Sequence, residues 1–282
     1  MTSVDGDVDR PIGVFDSGVG GLSILRAMRQ LMPQEDVLYF GDQGHIPYGP
    51  RSAGQIRDFS AAITRFLLER HAKLIVVACN TASAAALTSL REAFPDVGFV
   101  GMEPAVKPAA ESTKTGVVGV LATPATFQGA LFASVVERFA RGVELLQDTC
   151  PGLVQQIEAG DLDGPETRRI LESALRPMLA RNIDTVVLGC THYPFVIDQI
   201  QAIAGGRVRV IDPAPAVARQ ILRMLERKGI QRTEGARGTV RFFTSGTSVD
   251  LRGLLPRLLG EEGPITEVDW EGDTRLLERQ SA

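Results

Sequence analysis

A doubly wound α/β architecture with parallel sheets, built twice along one chain, is what this sequence predicts. Three observations carry that expectation. Short apolar runs alternate with longer amphipathic ones, which is the pattern of βα units around a parallel sheet. Chemically similar residues recur at a nearly constant spacing when residues 12–103 are laid over residues 117–212. In each half, an apolar run stops abruptly at a cysteine followed by two polar residues: "VVACNT" ends on Cys79-Asn80-Thr81, and "VVLGCTH" ends on Cys190-Thr191-His192.

The elements follow in order. "PIGVF" is the first strand and leads into the amphipathic helix "GLSILRAMRQLM". "DVLYF", the helix "RDFSAAITRFLLERH", "KLIVVA" and "GFVGM" complete the first half, with Cys79 directly after its third strand. The second half repeats the order with "TGVVGVL", the helix "FQGALFASVVERFA", "VELL", the helix "RRILESALRPMLARN", "DTVVLG" and "RVRVI", and Cys190 takes the place of Cys79. Gly13 faces Gly119, Asp42 faces Asp148 and Glu103 faces Asp212 in the same overlay, with a drift of a few residues that loop lengths absorb. A last helix, "APAVARQILRMLERKG", and the strands "TVRFFT" and "ITEVDW" are expected to return to the first half and complete its sheet. The expected organisation is a discontinuous first α/β domain over residues 11–104 plus 214–282, a second over 105–213, and a flexible segment over 1–10. In such sheets ligands sit at the carboxyl ends of the strands. Two facing halves would place Cys79 and Cys190 on opposite walls of one cleft.

Composition narrows the function. The chain has 282 residues, 44% of them hydrophobic and 23% charged, with a net charge of -4. No basic block points to nucleic acid, and no apolar run approaches the ~20 residues needed to cross a bilayer. There are three cysteines, and the opening "MTSVDGDVDR" is acidic and polar where a secretory signal would start basic and turn apolar. The expectation is a cytoplasmic protein with reduced thiols. Neither a C-x-x-C pair nor a further His/Cys cluster is present, so neither a metal site nor thiol redox chemistry is expected. "SGVGG" at 17–21 lacks the spacing of a nucleotide loop, and its glycines are read as allowing close backbone approach to a ligand.

A thiol that follows a strand and enters a helix is exposed to the helix N-terminal N–H groups, which lower a cysteine pKa from its free value of about 8.5. Two such thiols on opposite sides of a Cα–H stereocentre form an acid and base pair. One removes the proton from one face and the other delivers a proton to the opposite face, which is a racemase arrangement. Cys150, before Pro151 and at a different repeat position, is read as structural, and His71 as a helix-end surface residue.

These residues carry a resemblance. "GVFDSGVGG", "YFGD" followed by "PYGPRS", "VVACNTASA", "GVLATPAT", "CPGLVQQIEAG" and "LGCTHYPF" resemble the glutamate racemases of the aspartate/glutamate racemase superfamily, over about Ile12 to Pro213 and more weakly through "FFTSG". The resemblance implies two pseudo-symmetric α/β domains with the active site between them, and cofactor-independent interconversion of L- and D-glutamate for peptidoglycan. It implies that Cys79 acts on D-glutamate and Cys190 on L-glutamate. Asp16, Asp42, Glu158 and His192 match polar groups that assist the thiols. Asp16, Ser17, Tyr48, Gly49, Asn80, Thr81, Thr191 and His192 match substrate contacts, and Thr123 and Thr126 match hydroxyls from the second domain. A substrate with two carboxylates and an ammonium needs N–H and hydroxyl donors at its anionic ends and a carboxylate near its nitrogen, for which Asp16 is the candidate.

One departure stands out. After "YFGD" the family usually places Thr, whereas this chain has "QGH" at 43–45, so His45 adds a titratable group near the site. A homodimer is the expected assembly. Members activated by a cell-wall nucleotide precursor carry a longer N-terminal extension, and with about ten residues before Pro11 no such activation is expected. The alternatives are racemisation of aspartate or another acidic amino acid, and a protein that acts by binding, since some glutamate racemases inhibit DNA gyrase. Retention of both cysteines argues against the decarboxylases of the superfamily, which keep one.

Overall fold

The computed structural model describes residues 8–279; residues 1–7, part of the segment expected to be flexible, lie outside the described residues. Val8 is tied down, its carbonyl accepting a 2.7 Å bond from Lys73 Nζ. The chain divides into two compact units, residues up to Met102 together with Ala214 onward, and Glu103–Pro213.

The first unit is built on a seven-stranded sheet. Its central strand β1 (Ile12–Asp16) pairs in parallel with β2 (Val37–Gly41) on one side and β3 (Leu74–Val77) on the other, with Asp16 level with Gly41 and Phe15 level with Val77. All three strands are buried along their whole length, as their continuous apolar sequences require when helices cover both faces. The short β4 (Phe99–Val100) closes one edge beside β3. On the other side β9 (Val240–Thr244) pairs with β2, β10 (Ile265–Glu271) pairs with β9, and β11 (Arg275–Glu278) runs antiparallel to β10 at the edge. The β11 strand was not anticipated from sequence, because "TRLLE" is mostly exposed and has only one half-buried position to give it a pattern.

Three helices fix the site-bearing edge of this sheet. Helix α1 (Leu22–Leu31) follows β1, α2 (Ala53–Glu69) follows β2, and α3 (Asn80–Ala93) follows β3. Helix α2 starts earlier than its apolar pattern indicates because Ser52 and Gln55 close a reciprocal capping box. Ile56, Phe59, Ile63 and Phe66, spaced three and four apart, lie in one core cluster with Phe15, Phe40, Ile75 and Val77. Each such side chain contributes about 1.5–3 kcal/mol by leaving water. At the opposite, amino edge of the sheet, Lys73 Nζ and Glu35 Oε2 form a 2.6 Å ion pair with both side chains 1% exposed.

The second unit has a four-stranded parallel sheet in which β5 (Val117–Ala122) lies between β6 (Glu144–Asp148) and β7 (Thr185–Gly189), with β8 (Arg209–Ile211) outside β7. Separate apolar clusters cover its two faces, one around Leu171, Leu175 and Leu188 and one around Val120, Phe132 and Val187. The helix expected over "FQGALFASVVERFA" is two helices, Pro124–Gln128 and Ala130–Phe139, because Gly129 between them is extended, with φ -71° and ψ 139°. Among the described residues no helix is long and apolar enough to cross a membrane.

Candidate active site

Each unit gathers its candidate residues at the carboxyl edge of its own sheet. In the first, Asp16 ends β1 and Cys79 sits two residues beyond β3. Asp16 is fully buried, and its Oδ1 accepts the Gly18 N–H at 2.9 Å, while its carbonyl accepts the Asp42 N–H at 3.0 Å. Gly21 allows helix α1 to start this close: a Cβ there would fall 2.8 Å from Asp16 Cβ and 3.0 Å from the Tyr39 hydroxyl. The glycine-rich loop is therefore used first for packing against the site.

Cys79 is the N-cap of α3, in extended conformation, and its sulfur accepts the Ala82 N–H at 3.4 Å. The positive end of the helix thus faces the thiol and favours negative charge on it. Sγ also lies 3.8 Å from Ser17 Oγ. Asn80 and Thr81, the next two residues, are 4% exposed. Among the described residues neither side-chain atom of Asn80 that can hydrogen-bond has a partner, an arrangement that costs about 1–3 kcal/mol. Tyr48 is 2% exposed, lies in the same core cluster as Cys79 and donates a 2.6 Å hydrogen bond to Asp42 Oδ2. Burial, followed by the negative charge and hydrogen bond of Asp42, holds the phenol pKa well above its usual value, with smaller contributions from Cys79 and Asp16. Gly49 follows it, half-buried.

In the second unit Cys190 directly follows β7, where Gly189 lets the strand press on β5: a Cβ at Gly189 would meet Ala122 Cβ at 2.7 Å. The expectation that both thiols cap helices meets a difference here. After Cys190 the chain makes a tight turn and a 3-10 segment, Tyr193–Val196, because Pro194 follows too closely for an α-helical start, and the regular helix begins only at Ile197. The Cys190 sulfur is served instead by a side chain: His192 Nδ1 lies 3.7 Å from it, and His192 Nε2 lies 2.6 Å from Glu158 Oε1. Glu158 ends the helix Leu153–Glu158 that follows β6. Burial alone would lower the His192 pKa, but the hydrogen bonds and charges of Cys190 and Glu158 together carry it well above its usual value. The charged imidazole thus stands between the Glu158 carboxylate and the Cys190 sulfur, where Cys79 has the N-terminus of α3. Thr191 is buried beside them.

Thr123 caps the helix Pro124–Gln128 after β5, its Oγ1 3.0 Å from that of the buried Thr126. Cys150 is placed apart by chemistry: burial, then the Asp148 carboxylate, push its thiol pKa far up, which makes it a poor nucleophile or base at neutral pH. His71 is exposed at the end of α2 with φ 63°. Among the described residues no three His, Cys, Asp or Glu side chains are grouped to hold a metal ion.

Two residues at the Asp42 carboxylate were not singled out from sequence. Ser245 Oγ donates to Asp42 Oδ1 at 2.6 Å and Trp270 Nε1 at 2.8 Å, while Tyr48 and His45 Nδ1, the latter at 3.1 Å, take Oδ2. Ser245 belongs to the "TSG" that carries the weaker part of the resemblance, whereas Trp270 lies in a strand whose sequence carries no motif.

Two parallel α/β units, each with a buried free thiol at a strand end, are the setting in which the sequence comparison places the chain: it belongs to the Asp/Glu/Hydantoin racemase family, whose pattern matches residues 12–221. Within it the likeness is to glutamate racemases. One from Ectopseudomonas mendocina is 50% identical over 255 residues, which cover 90% of this chain and 97% of that protein. The solved glutamate racemase of Bacillus anthracis superposes with a TM-score of 0.83 at 33% identity, covering 93% of this chain and 98% of the other. That of Escherichia coli, solved with L-glutamate and the activator UDP-MurNAc-Ala, gives 0.81 at 34% identity over 92% and 97%. The chain is an isomerase of the glutamate racemase kind.

Proposed function

We propose that this enzyme interconverts L- and D-glutamate by two-base proton transfer at Cα, with Cys190 taking the proton from the L-enantiomer and Cys79 from the D-enantiomer. The observation that carries the reading is that two buried thiols, at corresponding strand ends, each have their own means of holding negative charge: the α3 N-terminus for Cys79 and the His192–Glu158 pair for Cys190. The reading requires both sulfurs to reach one Cα from opposite faces.

In the L-to-D direction the Cys190 thiolate removes the Cα proton while the Cys79 thiol gives its own proton to the other face, and the reverse direction exchanges these roles. The Asn80 amide, with donor and acceptor both unsatisfied, is suited to a substrate carboxylate on one side and an ammonium on the other. Asp16 would hold the ammonium, and Thr123, Thr126 and the Thr191 hydroxyl would serve the carboxylates. The two thiols carry both proton transfers, so the reaction is proposed to run without pyridoxal phosphate, as the resemblance implies. We place the enzyme in the cytoplasm as a homodimer that supplies D-glutamate for peptidoglycan.

Purified protein incubated separately with L-glutamate and L-aspartate, without added cofactor, tests this by loss of optical rotation. Racemisation of glutamate far in excess of aspartate is expected. Equal rates on both, or dependence on pyridoxal phosphate, would contradict the assignment.

A further inference from the structure

Asp42 is fully buried, and donors from separate segments of the first unit converge on its two oxygens. On Oδ1 the Ser245 hydroxyl and the Trp270 indole N–H arrive at 2.6 and 2.8 Å; on Oδ2 the Tyr48 hydroxyl and His45 Nδ1 arrive at 2.6 and 3.1 Å. The direction of each bond is fixed by chemistry. An indole N–H only donates. The Ser245 hydroxyl accepts the Gly44 N–H at 2.9 Å, which leaves its own proton for Asp42. A carboxylate has about four lone-pair positions, and four neighbours occupy them. Asp42 therefore has no acceptor capacity left for a thiol or a substrate, and whatever it contributes passes through the groups it holds.

Of those groups, Tyr48 packs in the same buried cluster as Cys79. Its single proton is committed to Asp42, so toward a ligand the phenol oxygen presents only lone pairs. Such an oxygen matches an ammonium and not a carboxylate. The clamp is rigid on its other side: the His45 ring stacks on Phe59 at 4.0 Å with a 7° interplanar angle, and Trp270 packs at 4.8 Å from His45 and 5.4 Å from Phe59.

We infer that Trp270, on strand β10, is a positioning residue: with Ser245 it fixes the Asp42 carboxylate, and Asp42 in turn holds Tyr48 as a hydrogen-bond acceptor for the substrate ammonium. The identity of that substrate rests on the function proposed above; the Trp270–Asp42–Tyr48 linkage does not. The sequence departure at His45 belongs to the same clamp, where the imidazole fills the fourth acceptor position of Asp42.

Trp270→Phe keeps the aromatic packing and deletes the one N–H. For glutamate it should lower kcat/KM about tenfold, the effect of one hydrogen bond to a charged group, with the loss falling on KM. Since Trp270 acts through Tyr48, the double variant Trp270→Phe/Tyr48→Phe should be no worse than Tyr48→Phe alone. A loosened fold would instead lower Tm and multiply the two losses. Unchanged kinetics for Trp270→Phe, or multiplied losses, overturns the inference. Trp270 is the single tryptophan of the chain, so one indole N–H resonance reports its bond without any turnover. That resonance should move in folded Tyr48→Phe, where Oδ2 loses a donor, and a resonance indifferent to the substitution overturns the linkage. If the wild-type protein fails to turn over glutamate while the resonance moves, the proposed substrate is wrong and the linkage stands.

Discussion

His192 joins Glu158 to Cys190, with Nε2 2.6 Å from the carboxylate and Nδ1 3.7 Å from the sulfur. On the proposed two-base reading, this buried pair does for Cys190 what the α3 N-terminus does for Cys79. The two thiols are thus alike in position and unlike in support, and their variants should behave differently.

His192→Asn should slow mainly the L-to-D direction at saturating substrate, and Asp16→Asn mainly D-to-L. The equilibrium constant between enantiomers is unity, so kcat/KM must fall equally in both directions and any asymmetry in kcat must be matched in KM. Initial rates from each enantiomer decide it. Equal losses of kcat in both directions for both variants would reduce these residues to binding groups.

The raised pKa of His192 has a consequence for stability. A group whose folded pKa lies above its unfolded value, about 6.5 for histidine, adds stability that is fully present below the unfolded value and is lost as pH rises through the folded one. The stability advantage of wild type over His192→Asn should therefore be largest below about pH 6.5 and shrink on the alkaline side. Glu158→Gln should bring the His192 titration, followed by NMR, to lower pH. An advantage that grows with pH would contradict the charged pair.

Asn80 carries an amide with no partner among the described residues, so its cost to folding is already present. Asn80→Leu, similar in volume, should leave the unfolding free energy unchanged or raise it by about 1 kcal/mol, while kcat/KM falls by more than tenfold. Urea titration alongside kinetics separates the two effects, and a stability loss above about 2 kcal/mol would mean the amide has a structural role.

Lys73 and Glu35 make the complementary case, a buried pair at the amino edge of the sheet, away from the site. Burial lowers the Lys73 pKa and Glu35 partly restores it, and Glu35 also accepts the Arg232 N–H at 2.8 Å. Lys73→Met leaves the buried carboxylate without its countercharge and should cost about 3–5 kcal/mol. Activity per folded molecule should be preserved, as measured by active-site titration after the fraction folded is known.

Much of this was legible in the sequence because the physics is local. The strands β1, β2, β3, β5 and β7 are read from continuous apolar runs, and the thiols from the abrupt end of two such runs. Cys79 was expected at a helix start because it follows a strand of a βα unit. The same argument applied to Cys190 failed, since Pro194 imposes a turn and a 3-10 segment first. Glu158 could be named through motif likeness, but its 2.6 Å bond to His192 depends on how the helix after β6 packs. Trp270 was invisible as a site residue: it lies 228 positions from Asp42, and only the pairing of β10 on β9 and β9 on β2 brings them together.

The central claim is that each thiol serves one face of Cα, and hydrogen isotope at that carbon tests it most directly. A thiol holds one hydrogen, so a proton taken from L-glutamate by Cys190 can return only to the face it left, while Cys79 delivers a hydrogen of solvent origin to the other. Wild-type enzyme incubated with L-glutamate in deuterium oxide to low conversion should yield D-glutamate with deuterium at Cα while recovered L-glutamate retains protium, as read by chiral separation and mass spectrometry. D-glutamate that keeps the substrate's own hydrogen would show one base serving both faces and would contradict the account.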